Sequence, residues 1–427
     1  MVAWGGMTFY GTALIGLNAL ALWDLYLQRR QRKAYANAKM PEHLVGVVEE
    51  KEFRTTQEYE REKLSFSILL HVKDIVISNV SLLAKLPAKL YGSLGQLLPG
   101  ATGSFSHCYV YAVATDVLTT LISLPFEYYS TFVIEEKHGF NKMTRKEFFL
   151  DVAKYFLLRL TLLHVLTSGL ILKVVELFGE DFPFYFFLGA TGLITIFTFV
   201  YPTFIQPLFN TYTPIPKDGE LGKKIYALAE KHKFPLKKLY EVDGSRRSGH
   251  SNAYFYGFWS KHIVLYDTIV EQTKDDHDAL LAVLCHELGH WKNSHDKFFF
   301  GFMVAQTWCI SYGAKAVIFN TDLYKQFGFS DANPLIGFEL FSQVFLEPIN
   351  TLLGYLVSLV TRQFEFQADR YAVSSGYGEP LIRGLMVIHK ENKNLLTPDP
   401  LFAALHYSHP PLAQRLDAIK EENKKRK

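Results

Sequence analysis

Cysteine is scarce. The chain has three in 427 residues, Cys108, Cys285 and Cys309. An odd number of distant thiols with no CxxC spacing excludes a disulfide framework, a redox pair and a thiolate metal site, so they read as small apolar residues. An excess of charge of one sign is missing too. The 45 basic and 42 acidic residues leave a net charge of +3, too small and too mixed for a nucleic-acid surface, and no nucleic-acid partner is expected. Residues 1–7 lack the positive n-region and small-residue cleavage site of a removable signal, so the apolar run after them is expected to stay in the mature protein. There is no internal repeat and no low-complexity tract before the terminal residues 421–427.

Apolar and aromatic residues are plentiful, and they are clumped. Seven stretches have the roughly 20-residue length that a helix needs to cross a bilayer: 8–27, 64–84, 108–133, 149–175, 184–204, 298–318 and 335–360. Basic residues assign the sides, because Lys and Arg are retained in cytosolic loops. The loop after the first span holds Arg29, Arg30, Arg32 and Lys33, the next only Lys85 and Lys89, and the third Lys137, Lys142, Arg145 and Lys146. No basic residue separates the fourth span from Pro183, residues 206–297 are lysine-rich, and 321–334 hold only Lys325. Basic and nearly non-basic loops therefore alternate in step with seven spans, with a lumenal N-terminus and a cytosolic C-terminus.

Within or beside these spans lie His71, Lys73, Asp74, Asp116, Glu127, Lys154, Arg159 and His164. A charge at bilayer depth costs roughly 2.5–3.5 kcal/mol, so such groups face other helices or water. Two readings stand: a hydrated cavity, or structural pairs and side chains that snorkel from span ends. Residues 206–297 read as a soluble insertion. Pro214 and Pro216 interrupt the chain, 221–232 has helical apolar spacing, 239–242 is a short strand, and the aromatic and β-branched runs 253–259 and 262–266 suggest a hairpin across Ser260 and Lys261.

The chemistry concentrates in His286-Glu287-Leu288-Gly289-His290, on a helix whose start Thr273 and Asp276 are expected to cap. Positions i and i+4 share a helix face, so both imidazoles can reach one zinc ion, and Glu287 is placed to take a proton from the water that such an ion activates. A catalytic zinc needs a third protein ligand. The metzincin extension requires Gly at 293 and His at 296, where this chain has Asn293 and Asp296. On a continued helix His295 points away from His286. The third ligand must then come from elsewhere. Just beyond the last span, Glu365 and Asp369 are again i and i+4; one can bind zinc while the other accepts the second ring N–H of a ligand histidine. Two crossings separate them from the HExxH helix, so both lie on the cytosolic face. The bland alternative is an exposed helix face paired with Arg362 or Arg370.

These residues resemble the type I CAAX prenyl proteases, the membrane metalloproteases of the a-factor-converting and prelamin A-processing type. The resemblance covers nearly the whole chain. It includes the segment 134–141 (IEEKHGFN), His250-Ser251-Asn252-Ala253-Tyr254, the HExxH, Glu365 through Asp369, and His409-Pro410-Pro411 followed by Arg415. It implies a mainly α, multi-pass membrane protein of seven transmembrane helices forming a barrel around a water-filled chamber, with a cytosolic α/β, gluzincin-like zinc metallopeptidase domain. The divisions are then 1–205 (five spans), 206–297 (insertion and HExxH helix), 298–360 (two spans) and 361–427 (tail). One Zn²⁺ per chain is expected on His286, His290 and Glu365, with Glu287 as base and Asp369 in support. The implied substrate is a prenylated CaaX protein, cut after the modified cysteine and in some members at a second, upstream site. A prenyl chain adds about 0.8 kcal/mol of membrane affinity per buried CH₂, so substrate and peptidase share the bilayer.

Three further expectations complete the reading. Asn252, Ala253 and Tyr254 lie on a strand that pairs with an extended substrate, or else form a purely structural hairpin. His409 and Arg415 return to the zinc on a helix after Pro411, to stabilise an oxyanion or bind the substrate carboxylate, or else act as solvated caps. Lys424 and Lys425 in the tail resemble a dilysine signal for the endoplasmic-reticulum membrane, with the inner nuclear membrane as a further location. A quality-control protease indifferent to prenylation and a non-catalytic chamber-forming receptor are the competing functions. The oligomeric state stays open, and a monomer is compatible with the sequence.

Overall fold

A computed structural model describes residues 8–36, 39–40, 49–98, 102–257, 260–393 and 397–426. The expectations placed on residues 1–7, on Phe258 and Trp259, and on Lys427 lie outside the described residues.

The apolar runs fold as helices: α1 (Phe9–Ala36), α2 (Glu50–Leu83), α3 (Leu86–Leu97), α4 (Phe105–Tyr129), α5 (Arg145–Leu158), α6 (His164–Phe178) and α7 (Phe182–Val200). Wider π turns, Ser130–Glu135 and Arg159–Leu163, extend α4 and join α5 to α6. Side chains along these helices are apolar yet uncovered. On α2, Leu69, Val72, Val76, Val80 and Leu83 are exposed at intervals of three and four, a stripe that water would penalise and lipid would not. Among the described residues, four helical stretches are long and apolar enough to cross a membrane: Glu50–Leu83, Phe105–Glu135, Arg145–Leu208 and Pro334–Ser374. The third has 64 residues and turns back on itself at Gly179, where φ is +50° and a side chain would strain the backbone, so that α6 packs on α7. Five of the seven expected spans fall within these four stretches. Residues 9–27 of the first expected span and 298–318 are helical but outside them.

The insertion forms β1 (Tyr212–Pro214), α8 (Glu220–Lys231), β2 (Leu236–Val242), β3 (Ala253–Tyr256) and β4 (Lys261–Tyr266). The sheet order is β1-β2-β4-β3. The predicted hairpin is present as the antiparallel pair β3–β4, with Tyr254 opposite Val264. The predicted short strand starts earlier, at Leu236, and pairs in parallel with β4. This order leaves β3 at the edge, with one side of its backbone free.

The chain continues as α9 (Asp267–Gln272), α10 (His277–Lys292), α11 (His295–Ile318), α12 (Thr321–Phe327) and α13 (Pro334–Leu340). A π segment, Phe341–Leu346, leads into α14 (Glu347–Ser374), followed by α15 (Gly378–Glu391), α16 (Pro400–His406) and α17 (Leu412–Arg426). Only one of the two residues expected to cap α10 does so. Asp276 accepts from the Ala279 N–H, whereas the Thr273 hydroxyl donates back to the Ile269 carbonyl at 2.6 Å and closes α9. Two buried clusters organise the molecule. One joins the sheet to α8, α10, α15, α17 and the last turns of α14; the other gathers Tyr91, Cys108, Ile171, Phe182, Tyr324 and Phe341 from helices on both sides of the chain's midpoint. None of the three cysteines forms a disulfide: Cys108 is buried with its thiol 3.4 Å from Asn333 Oδ1, Cys285 is buried 3.9 Å from His232 Nε2, and Cys309 is exposed.

Several ionisable residues of the apolar stretches pair with one another. Arg159 donates to Asp116 at 3.0 Å with His164 3.4 Å from the same carboxylate, His71 lies 3.2 Å from Asp24, and Lys73 lies 3.0 Å from Asp74. Lys154 donates to the Leu208 carbonyl at 2.8 Å. The Asp116 and Asp24 groups also border cavities of about 670 and 520 Å³.

Candidate metal centre

Helix α10 is buried almost all round, with residues 279–286, Leu288 and Gly289 covered, because it lies between the sheet, α14 and α15. The glycine of the HExxH has a steric reason. A Cβ on Gly289 would lie 2.9 Å from the Ala368 Cα and 3.1 Å from its carbonyl oxygen, so the α10 and α14 backbones touch there. This contact sits between the two histidines of α10 and the two carboxylates of α14, and it brings them together. Nε2 of His286 and Nε2 of His290 are 3.2 Å apart. Glu365 Oε2 lies 3.4 Å from the first and Glu365 Oε1 3.2 Å from the second.

Among the described residues these three form the one group of histidine, cysteine and acidic side chains whose donor atoms all lie within 4.8 Å of one another. The set fits a cation. Two imidazole nitrogens bound to tetrahedral zinc at about 2.0–2.1 Å stand roughly 3.3 Å apart. Glu365 is 3% exposed, and its Oε2 has no hydrogen-bond partner, an arrangement that is costly unless a cation completes it. Glu287 lines the same cavity of about 500 Å³, together with Asn252, Ala253 and His409. Tyr254 turns its side chain elsewhere, to Gln206 Oε1 and the Tyr212 hydroxyl, each at 3.2 Å.

Asp369 and Arg415 complete the surroundings of His286. His286 Nδ1–H donates to Asp369 Oδ1 at 2.8 Å, which makes Nε2 the nitrogen that would bind a cation once the ring gives up its second proton. Arg415 grips Asp369 with two bonds, Nε to Oδ2 at 2.9 Å and Nη2 to Oδ1 at 2.6 Å, and its Nη1 lies 3.4 Å from Glu365 Oε2. The helix after Pro411 therefore returns Arg415 to the site, but buried in this pair rather than exposed as a cap. Asp369 does not pair with Arg362, which donates instead to Gln414 at 3.1 Å. His409 is more open, 64% exposed, with Nε2 3.5 Å from Glu365 Oε1.

The sequence placed His295 away from the site, and the structure corrects this. Helix α10 ends at Lys292, Ser294 takes left-handed φ of +60°, and a new helix starts at His295. The break swings His295 back, so that its Nδ1 lies 2.9 Å from His290 Nδ1 and its Nε2 3.0 Å from Gln367 Oε1.

Electrostatics follow from burial and from these pairs. Burial resists protonation of His286, but the Asp369 and Glu365 carboxylates outweigh it and hold the ring up at about 9 before any cation binds. Burial pushes Glu365 up, yet the two histidines and Arg415 hold it far below the ordinary carboxylate range. Asp369, likewise buried, is held at about 2, chiefly by Arg415. Glu287 goes the other way. Burial pushes it up, against the pull of the histidines and Arg415, and Glu365 adds to the rise.

Helices long and apolar enough to cross a membrane, together with a two-histidine, one-carboxylate cage and an adjacent glutamate kept basic by burial, define a membrane metallopeptidase. Comparison with known proteins makes this specific. Residues 31–211 match the family description "CAAX prenyl protease N-terminal, five membrane helices", and residues 216–423 match peptidase family M48. The CAAX prenyl protease 1 homolog of Arabidopsis thaliana is 37% identical over 424 residues, covering 98% of this chain and 99% of that one. CAAX prenyl protease 1 of Saccharomyces cerevisiae is 35% identical over 434 residues, covering 95% and 94%. The crystal structure of S. mikatae Ste24p superposes with a TM-score of 0.90 at 32% identity, covering 98% of this chain and 100% of that one. The chain belongs to peptidase family M48, in its CAAX prenyl protease branch, and is a multi-pass membrane metalloprotease.

Proposed function

We propose that the protein is a zinc endopeptidase that removes the aaX tripeptide from prenylated CaaX proteins at the endoplasmic-reticulum membrane, with a second upstream cut in suitable substrates. The observation that carries this reading is the cage of His286, His290 and Glu365 at 3.2–3.4 Å, sharing a cavity with Glu287. These three residues would hold the ion. When bound, zinc supplies Lewis-acid polarisation of the scissile carbonyl and acidifies a water at the same point.

The remaining work falls to side chains of the chain itself. Glu287, raised by burial, accepts the proton of the attacking water and delivers it to the departing amine. Arg415 holds Asp369, and Asp369 fixes the tautomer of His286. His409 faces the cavity as a donor for the carbonyl oxygen as it gains charge. The free edge of β3, starting at Asn252 and Ala253, accepts the peptide as an added strand, with Tyr254 bracing the strand from behind through Tyr212 and Gln206.

In this reading seven spans enclose a hydrated chamber, the N-terminus is lumenal, and the active site and C-terminus are cytosolic. The alternation of basic loops supports it, as do the paired ionisable groups that border cavities among the apolar helices. The divisions follow as 1–205, 206–297, 298–360 and 361–427. The test is Glu287→Gln: the variant keeps one zinc per chain and loses hydrolysis of a farnesylated CaaX peptide by roughly 10²–10⁴-fold. Full turnover in that variant sinks the mechanism, and equal turnover of farnesylated and unmodified peptide sinks the substrate assignment.

A further inference from the structure

We infer that His295, braced by Gln367 and Phe364, is the positioning residue for the metal ligand His290, resting on the metal-centre reading above. His290 presents Nε2 to the cage, 3.2 Å from both His286 Nε2 and Glu365 Oε1. A nitrogen that binds a cation carries no proton, so the neutral ring holds its proton on Nδ1. That N–H needs an acceptor, and the atom facing it at 2.9 Å is Nδ1 of His295. His295 accepts there only if its own proton is on Nε2, which lies 3.0 Å from Gln367 Oε1, an acceptor. Each step admits one arrangement: Gln367 accepts from His295, His295 accepts from His290, and the His290 lone pair faces the cage.

The ring of His295 is also fixed in space. It is 3% exposed and stacks on Phe364, with centroids 3.9 Å apart and planes 6° from parallel. Phe364 and Gln367 are i and i+3 on α14, one ridge of the helix whose other ridge carries Glu365 and Asp369. A single helix thus supplies one ligand directly, orients His286 through Asp369, and orients His290 through the Gln367–His295 relay. The partner is neutral where Asp369 is anionic, so the two histidines are held by bonds of different strength.

The test compares full-length variants by zinc affinity, measured by competition with a chromophoric chelator, and by hydrolysis of a farnesylated peptide. His295→Phe keeps the stack on Phe364 but removes the acceptor, and should bind zinc about 10–100-fold more weakly. In His295→Gln the side-chain oxygen accepts from His290 and the amide donates to Gln367, so affinity should return to within about threefold of wild type. Melting of both variants in the metal-free state should match the wild-type protein. Wild-type zinc affinity in His295→Phe overturns the inference, as does a Gln variant no better than the Phe variant. A wild-type chain that binds no zinc overturns the metal-centre reading with it.

Discussion

Asp369 holds two partners at once, an imidazole N–H and a guanidinium, inside a 2%-exposed pocket. Its removal leaves Arg415 buried with only the longer 3.4 Å contact to Glu365. Asp369→Asn should therefore lower stability by about 3–5 kcal/mol, read as the shift in the denaturation midpoint of the metal-free protein. Asn can still accept from His286, so zinc binding should suffer less than in Asp369→Ala. His389 gives a prediction in pH. It lines the catalytic cavity with an unpartnered Nε2, and burial holds it down at about 4 against an ordinary 6.5. The unfolded chain takes up a proton near pH 6.5 and the folded chain only near 4, so this residue's contribution is complete above 6.5 and declines as pH falls between those values. Wild type should lose more melting temperature between pH 7.5 and 5 than His389→Leu does.

At the scale of elements, the close crossing of α10 and α14 at Gly289 is what assembles the cage from two distant segments. Gly289→Ala forces the helices apart where they carry their ligands. It should cost about 1–3 kcal/mol in stability and reduce zinc affinity, whereas the same change at Gly354, which meets nothing within 4 Å, should alter neither. Chelator competition and thermal melts on both variants check this. Local periodicity made much of the site legible in advance: His286 with His290, and Glu365 with Asp369, follow from i and i+4 spacing on helices that do form. The hairpin was legible from its aromatic and β-branched runs. What sequence did not reveal was set by contacts between segments. The parallel pairing of β2 with β4 and the burial of Arg415 against Asp369 join segments distant in the chain, so no local pattern marks them. The placement of His295 failed for a narrower reason: the helix breaks at Asn293 and Ser294 without the glycine or proline that usually announces an end.

At the scale of the molecule, α1 and the metallopeptidase domain are joined through the tail. Arg30 of α1 pairs with Asp399, which caps α16, and His406 at the other end of α16 lies 3.0 Å from Asp24, again on α1. His409 follows three residues later. A ligand that binds only the folded state stabilises it by mass action, about 4 kcal/mol when it is present at a thousand times its dissociation constant. Removing zinc with a chelator should accordingly lower the melting temperature of wild type and not of a Glu365→Ala, His286→Ala double variant, and readdition of zinc should restore it.

The 41-residue helical run Pro334–Ser374 has an uncovered apolar flank, Ile349, Leu352, Leu356 and Leu359, and carries Glu365 and Asp369 about two and three turns beyond. In a bilayer its apolar flank would follow the thickness of the surrounding lipid, while its far end is tied to the α10 crossing. Reconstitution into bilayers of increasing acyl length should pull this run against the α10 crossing, and peptide turnover should pass through a maximum at one thickness. Such a maximum would make the composition of the host bilayer a determinant of this hydrolase's rate.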